Sequence, residues 1–442
     1  MTLLESKIGI VCPDFDTFKL KDILVKNDAG EWGADPDENA IGVLRSTNFT
    51  NEGKLTLDDV AYRKLSIDKI NEKLLSANDI LVERSGGSDT QPVGRVGFIS
   101  EQIAKDKYAF ANFIQRISLD DTVVSKYVYY CLQQMYEMGI TASMQNQTTG
   151  IRNLDWKFYT QSIFPKPSLD EQKAIATILS KIDEAIETTK QTINSAQKLK
   201  TSLMQNLLTG KIKPDGTKRK DDEFYYDEKL GKVPKGWDIE SLNKLFNINE
   251  ESLSTNTEPE FTFKYISIEM VDTEKINYEK CPIYNFKDAP GRARRVVKDN
   301  DILISGVRPN LKSFAIYNKP DSDNWIVTTG IYVLSAKKDV CSNYFFYQIL
   351  SEIAEKQFHS YVAGTNYPAI GDRDLKRLKL LVPCYTEQKE ISEKFKEVSE
   401  LIKVKEIKLN KLEKLKKSLM QNLLTGKMRL DEKLIKELIS HV

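Results

Sequence analysis

The stretch KLKTSLMQNLLTGK, Lys198 to Lys211, returns as KLKKSLMQNLLTGK at Lys414 to Lys427, changed only where Lys417 replaces Thr201. A repeat this long at an offset of 216 limits the possible folds more than any other feature of the chain. The offset holds upstream: LDEQKAIATILSKIDEAI begins at Leu169 and YTEQKEISEKFKEVSELI at Tyr385, with Pro167 and Pro383 two residues before them. No insertion or deletion separates the copies. Loops drift in length, whereas each residue inserted into a packed helix rotates its apolar face by about 100°. The repeated unit therefore reads as a rigid helix.

The spacing supports this. Ile175, Leu179, Ile182, Ile186, Thr189, Ile193, Ala196, Lys200, Leu203 and Leu207 follow alternating steps of four and three. Ile391, Phe395, Val398, Ile402, Lys405, Leu409, Leu412, Lys416, Leu419 and Leu423 hold the same places in the second copy. This is the 3.5-residue seam of a coiled coil, broken in both copies at matching places, Thr189 with Lys405 and Lys200 with Lys416. Ser168 or Asp170, and Thr386, supply start signals, and Thr-Gly-Lys ends both copies with a glycine suited to a left-handed cap. Helices of about 40 residues reach roughly 60 Å. A parallel pair would need the linker to return that distance, nearly the full reach of about 20 extended residues. An antiparallel mutual pair is expected, rather than two helices lying on separate domain cores.

The segments around the helices are each large enough for a core of their own. Both hold a buried-strand pattern, NDILV at Asn78 and NDILI at Asn300, among short strands and helical runs such as KYVYYCLQQMYEMG and NYFFYQILSEIAEKQF. The expected fold is α+β, or mixed α/β: two globular domains separated by two long antiparallel coiled-coil helices, an internal repeat with a pseudo-two-fold axis. The expected bounds are residues 1–168 for domain 1, 169–211 for helix 1, 212–384 for domain 2 with its linker 212–229, 385–427 for helix 2, and 428–442 for a C-terminal tail.

Several kinds of chemistry lack their motifs. A phosphate loop needs a glycine upstream of Gly-Lys and Ser or Thr after it, but Gln205 and Ile212 flank Gly210-Lys211, and Gln421 and Met428 flank the second copy. Asp215, Asp227, Glu228 and Lys229 mimic a nuclease metal set, yet they lie in a polar linker where such spacings arise by chance. Only His359 and His441 exist, which leaves little room for histidine catalysis, and no cofactor signature for methyl transfer occurs; NYPA at Asn366 is not one. Five scattered cysteines (Cys12, Cys131, Cys281, Cys341, Cys384) fit a reducing compartment, and no apolar run reaches the length of a membrane span. A soluble cytoplasmic protein with no catalytic site, cofactor or metal of its own is expected.

With a net charge of +1, any nucleic-acid surface must be local. Arg292, Arg294 and Arg295, with Lys298, precede the NDILI strand, and Arg308, Asn310 and Lys312 follow it. In the first domain Arg84, Ser85, Ser88 and Arg95 occupy the matching loop, with Gly86 and Gly87 between. A further loop leads into each long helix, QTTGIRNLDW with Arg152 and AGTNYPAIGDRDL with Arg373. Arginine and asparagine on glycine-bearing loops suit phosphate positioning and bidentate contacts to base edges. Lys218-Arg219-Lys220 reads as a solvated turn.

The helix starts FPKPSLDEQKAIATIL and LVPCYTEQKEISEKF, the helix ends SLMQNLLTGKIKP and SLMQNLLTGKMRL, and the domain opening LGKVPKGWDIESLNKLF carry a resemblance across essentially the whole chain. It resembles the specificity subunits of type I restriction–modification systems. The N-terminal counterpart VCPDFDTFKLKDIL lacks the Gly-Trp pair, which leaves the first domain's edge less defined. The resemblance implies two target-recognition domains, each reading one half of a bipartite, asymmetric double-stranded DNA target, on a helix pair that sets the spacer and docks methyltransferase subunits. It also implies two adenine methyltransferase subunits and two restriction/translocase subunits as partners, which bring S-adenosylmethionine, ATP and magnesium. Two alternatives stay open from the residues: a coiled-coil scaffold binding only proteins, and a stand-alone nuclease or methyltransferase.

Overall fold

The computed structural model describes residues 5–88, 90–148, 150–362 and 369–440, without the side chains of 147, 148 and 362. The chain divides into two compact units, one made of Met1–Lys190 with Ile407–Val442 and the other of Gln191–Glu406. Each unit contains one domain and one end of each long helix, Leu169–Leu207 and Tyr385–Leu423.

The first unit is built on an antiparallel sheet in the order Leu24–Ala29, Ile114–Leu119, Ile80–Glu83, Val96–Phe98. A three-stranded sheet joins Ile41–Leu44 to Ala109–Phe110 in parallel and to Ala61–Arg63 in antiparallel fashion. The second unit has two four-stranded sheets. One runs Phe246–Ile248, Ile331–Ala336, Ile302–Ser305, Phe314–Ile316, and the other Ile283–Asn285, Thr262–Ile266, Trp325–Thr328, Ala293–Val296. The mixed α/β class is as expected. Two runs divide more finely than the sequence pattern implies: WIVTTGIYVLS forms two strands, and NYFFYQILSEIAEKQF forms two helices, Ser342–Leu350 and Glu352–Val362.

Each domain grips its helix in the same way. Gln172 donates from Nε2 to the Pro167 carbonyl (2.9 Å) and accepts from the Val124 N–H (2.8 Å); Gln388 does the same with Pro383 (2.9 Å) and Cys341 (3.0 Å). Buried Tyr127 and Tyr344 donate to the Pro165 and Leu381 carbonyls, both at 3.1 Å. Buried polar side chains are costly unless paired, so these repeated pairs fix the helix start in one register.

Every seam position named from the sequence is buried or half-buried, in both copies. The seam nevertheless has two partners. Ile175, Leu179 and Leu423 join the first domain's core beside helix Ser125–Glu137, and Leu207, Ile391 and Phe395 join the second domain's. The ends of both stripes are thus held by domain cores as well as by the helix pair, because each helix begins against its own domain. Within the first unit the helices run antiparallel: Asp183 bridges Lys416 (2.7 Å), and Lys190, further along, bridges Glu413, further back (3.5 Å). Seam-breaking Lys416 is neutralised by Asp183, and Lys200 by Glu274, so the second of the two matched breaks consists of paired cations.

Both helices stop at a left-handed glycine. Gly210 (φ +67) donates to the Leu207 carbonyl (3.1 Å) and Gly426 (φ +74) to that of Leu423 (3.2 Å), after which the chain turns back. A Cβ on Gly210 would meet Pro234 at 2.2 Å, and one on Gly426 would meet Cys12 at 2.6 Å. Past each turn an arginine clamps the start of the other helix. Arg429 grips Glu171 with two bonds of 2.9 Å and stacks on Phe15 (4.6 Å). Arg219 binds Glu387 and the Gly210 carbonyl (2.8 Å) and stacks on Trp237 (5.3 Å). Arg219 is therefore not part of a solvated turn: its side chain is 9% exposed. Phe15 takes the place of Trp237, which is how the first domain dispenses with the Gly-Trp pair. The segment after helix 2 is likewise more than a tail: it carries the Arg429 clamp and a short helix, Glu432–Ile439.

Candidate nucleic-acid interface

In the second domain three of the arginine loops meet through backbone hydrogen bonds. The Thr329 N–H donates to the Arg292 carbonyl (2.9 Å), the Gly306 N–H to that of Gly330 (2.9 Å), and the Ile370 N–H to that of Gly306 (2.8 Å). Residues 363–368 of the third loop lie outside the described residues. The loop after strand Ile302–Ser305 is anchored at both ends of its turn. Arg308 (φ +50) and Lys312 (φ +48) are both left-handed around the turn Pro309–Leu311, a conformation that costs non-glycine residues about 1 kcal/mol or more each. Buried Pro309 and the Lys312 ammonium, bonded to the Leu350 carbonyl (3.2 Å) and the Glu355 carboxylate (3.0 Å), hold the loop in place.

This scaffold leaves Arg308 and Asn310 exposed, with no side-chain partner among the described residues. Val307 and Leu311 beside them are 42% and 59% exposed. Arg292 and Arg373 are exposed as well. Arg294 stacks on Phe286 (4.8 Å) and returns a bond to the Ala293 carbonyl (2.9 Å). Arg295 is half-buried over Tyr332 (5.1 Å), donates to the Ile331 carbonyl, and has no carboxylate bonded to it among the described residues; burial draws its guanidinium pKa down against the pull of Asp372. Lys312 proves to be an anchor whose ammonium is already taken.

The first domain assembles its loops differently. Ser85–Gly86 pairs with Ile151–Leu154, which pairs with Gln145–Thr148 in a small sheet. The Ser85 hydroxyl bonds Asn153 (2.6 Å), and Arg152 donates to the Ser88 carbonyl (2.7 Å), so Ser85, Ser88 and Arg152 share one edge. Phe113 and Ile151, each 44% exposed, border it.

Two arginines assigned to this surface by pattern do other work. Arg95 is 6% exposed; it grips fully buried Glu83 with two bonds (2.8 and 2.7 Å) and donates to the Phe49 (2.6 Å) and Ser46 (2.9 Å) carbonyls. Its donors are used inside the domain, where it knits three segments together. Arg84 folds back onto Gln115 (3.0 Å) and the Trp156 ring (5.6 Å), half-buried, so it is no counterpart of exposed Arg308.

The exposed apolar residues Val307, Leu311, Phe113 and Ile151 escape sequence reading because nothing in a linear pattern separates them from core. Both loop clusters carry guanidinium, amide and apolar groups on a hydrogen-bonded backbone, exposed at Arg308 and Asn310 in the second domain and half-buried at Arg152 and Asn153 in the first. Those groups match phosphate oxygens, base edges and thymine methyls respectively.

The nuclease-like carboxylates are local turn formers. Asp215 accepts from the Thr217 N–H (2.8 Å) and Asp227 from those of Lys229 (2.9 Å) and Leu230 (2.8 Å). No described helix is long and apolar enough to cross a membrane.

Comparison with known proteins bears on what the clusters are for. The profile of the type I restriction modification DNA specificity domain matches twice, at residues 13–198 and 234–414. The chain belongs to this family. Each match takes in one domain and most of the helix that follows it, the unit seen in the sequence repeat. Among curated relatives, the type I restriction enzyme MjaVIII specificity subunit of Methanocaldococcus jannaschii is 26% identical over 84% of both chains. The putative MjaX specificity subunit of the same organism is 24% identical over 96% of both. The fold of the type I restriction–modification S subunit of M. genitalium superposes with a TM-score of 0.57 at 16% identity, over 95% of this chain and 99% of that one.

Proposed function

We propose that this specificity chain is the non-catalytic DNA-recognition subunit of a type I restriction–modification complex. Each domain reads one half of a bipartite, asymmetric target, and the helix pair sets the spacer and docks the methyltransferase subunits. Two adenine methyltransferase subunits carry S-adenosylmethionine, two restriction/translocase subunits carry ATP and magnesium, and the complex works in the cytoplasm. One observation carries the reading: two domains built on one helix-gripping frame carry unlike clusters of arginine, amide and exposed apolar side chains, with Arg308 and Asn310 exposed in the second. A shared frame with divergent loops is what two readers of different sequences require. The scaffold alternative leaves these loops without a role.

The test is the methylome of cells carrying the methyltransferase subunit with and without this chain. An interrupted, two-part methylated motif that appears only with the chain is expected. Its absence from both samples, with the complex assembled, overturns the proposal.

A further inference from the structure

Beside the Arg308 loop the second domain holds an open hollow of about 530 Å³, lined by Ser241, Asn243, Asp372, Arg373, Lys376, Arg377 and Lys379. It lies along helix Asp372–Arg377 and the paired strands Asp238–Ser241 and Lys379–Val382. The Ile370 N–H bonds the Gly306 carbonyl (2.8 Å), and Val307 bridges Ala369, so the helix starts next to the loop. Lys376 is neutralised by Asp372 (2.7 Å). Arg373, Arg377 and Lys379 have no carboxylate bonded to them among the described residues, and both arginines are exposed.

We infer that this hollow seats the phosphate backbone of the duplex whose bases the Arg308 loop reads; the inference rests on the function proposed above. Two exposed arginines and Lys379, the last partly screened by nearby Glu240 and Asp227, leave an open hollow with an excess of positive charge that attracts a polyanion. Among the described residues no apolar side chain lines it, so it lacks the anchor that the core of a protein interface is built on, and lysine is depleted in such cores. Its continuity with the exposed Arg308 loop places the positive charge where a bound duplex would run on.

The equivalent place in the first domain is sparser. Strand pairing sets Lys19 with Ile163 where the second domain sets Ser241 with Lys379. Counting from those pairs, Lys157, Thr160, Gln161 and Ile163 stand for Arg373, Lys376, Arg377 and Lys379, with Lys19 and Lys21 on the facing strand and turn. Lys21 is itself near Asp22 (4.0 Å). The second domain therefore carries more of the sequence-independent grip on DNA.

The experiment uses the full chain assembled with its methyltransferase subunits. Binding to a duplex carrying the methylated motif and to a scrambled duplex is measured between 0.05 and 0.2 M salt, for wild type and for the Arg377→Gln/Lys379→Gln variant. Each phosphate contact contributes about 0.9 to the salt slope. Losing two flattens it by about 1.8, so the wild-type advantage grows roughly twelvefold from 0.2 to 0.05 M salt, on both duplexes alike. Arg377→Lys/Lys379→Arg should keep the slope. An unchanged slope in the Gln variant, with the wild-type motif still methylated, overturns the phosphate seat and leaves the proposed function standing. Loss of the methyltransferase subunits with the DNA slope intact also overturns it and makes the hollow a dock for an acidic protein surface. A wild-type complex that does not distinguish the two duplexes refutes the proposed function itself.

Discussion

Replacing Arg429 with alanine tests whether the segment after the second long helix holds the first domain together. The guanidinium makes two parallel bonds of 2.9 Å to Glu171, whose side chain is 3% exposed, and lies 4.6 Å from the Phe15 ring. Breaking a fully buried pair from one side costs about 3–5 kcal/mol, because the remaining charge stays buried. Here the arginine side chain is 42% exposed, so water can reach the orphaned carboxylate and the cost falls to roughly 1.5–3 kcal/mol. In a unit of this size that lowers the midpoint by about 3–12 °C. Glu171→Gln should recover at least half of the loss in the double variant, since a neutral amide is cheaper to leave unpaired. Truncation after Lys427 should cost at least as much as Arg429→Ala. The assay is thermal and urea unfolding of the full chain. A loss under about 0.5 kcal/mol, or no recovery with Glu171→Gln, would show that the tail only rests on the domain.

Three further outcomes follow from single side chains. Lys126 lies over Phe98 (4.0 Å), Tyr129 (4.7 Å) and Tyr130 (5.6 Å), and burial, followed by the nearby Lys416 and against the pull of Asp183, lowers its pKa from 10.5 to about 8. The unfolded chain thus holds this proton more tightly, so stability rises as pH climbs from about 8 towards 10.5. Lys126→Met should stabilise the chain by on the order of 1–2 kcal/mol at pH 7, with a gap that closes by pH 10; a less stable variant, or a gap indifferent to pH, contradicts this. Arg308→Ala should leave the unfolding midpoint unchanged and either relax one target position, at about 1–3 kcal/mol, or weaken binding to all sequences. Arg84→Ala should lower stability instead, through the lost Gln115 and Trp156 contacts, and binding and unfolding measured side by side tell the two arginines apart.

The long helices were legible because a packed helix preserves spacing: both stripes and their breaks could be read position by position, down to Lys200 and Lys416. The segments holding Arg152 and Arg294 read as loops and prove to be strands, Ile151–Leu154 and Ala293–Val296, but Arg308 was legible as an exposed cation on a loop. Arg95 was not, because its burial depends on Glu83, twelve positions back at the end of a strand whose counterpart ends in Ser305. An arginine near glycines looks the same whether it faces water or a buried carboxylate. The clamps were hidden for a related reason: Arg429 meets Glu171 only once the chain has returned to its first domain, and no local pattern records that return. Asn243 and Lys379 share one hollow through strand pairing, which the sequence specifies only after the fold is known.

Two independent readers on one frame can be exchanged one at a time, and a methylome after such an exchange measures their independence. Residues 1–168 are replaced by the corresponding domain of another specificity subunit, and the chain is expressed with its methyltransferase subunits. Because each domain grips its helix through the same glutamine, tyrosine and carbonyl contacts, the exchange should preserve the frame. One half of the methylated sequence should change while the other half stays as in wild type. If both halves change together, or neither does, in a complex that still methylates DNA, the two domains are not separate readers.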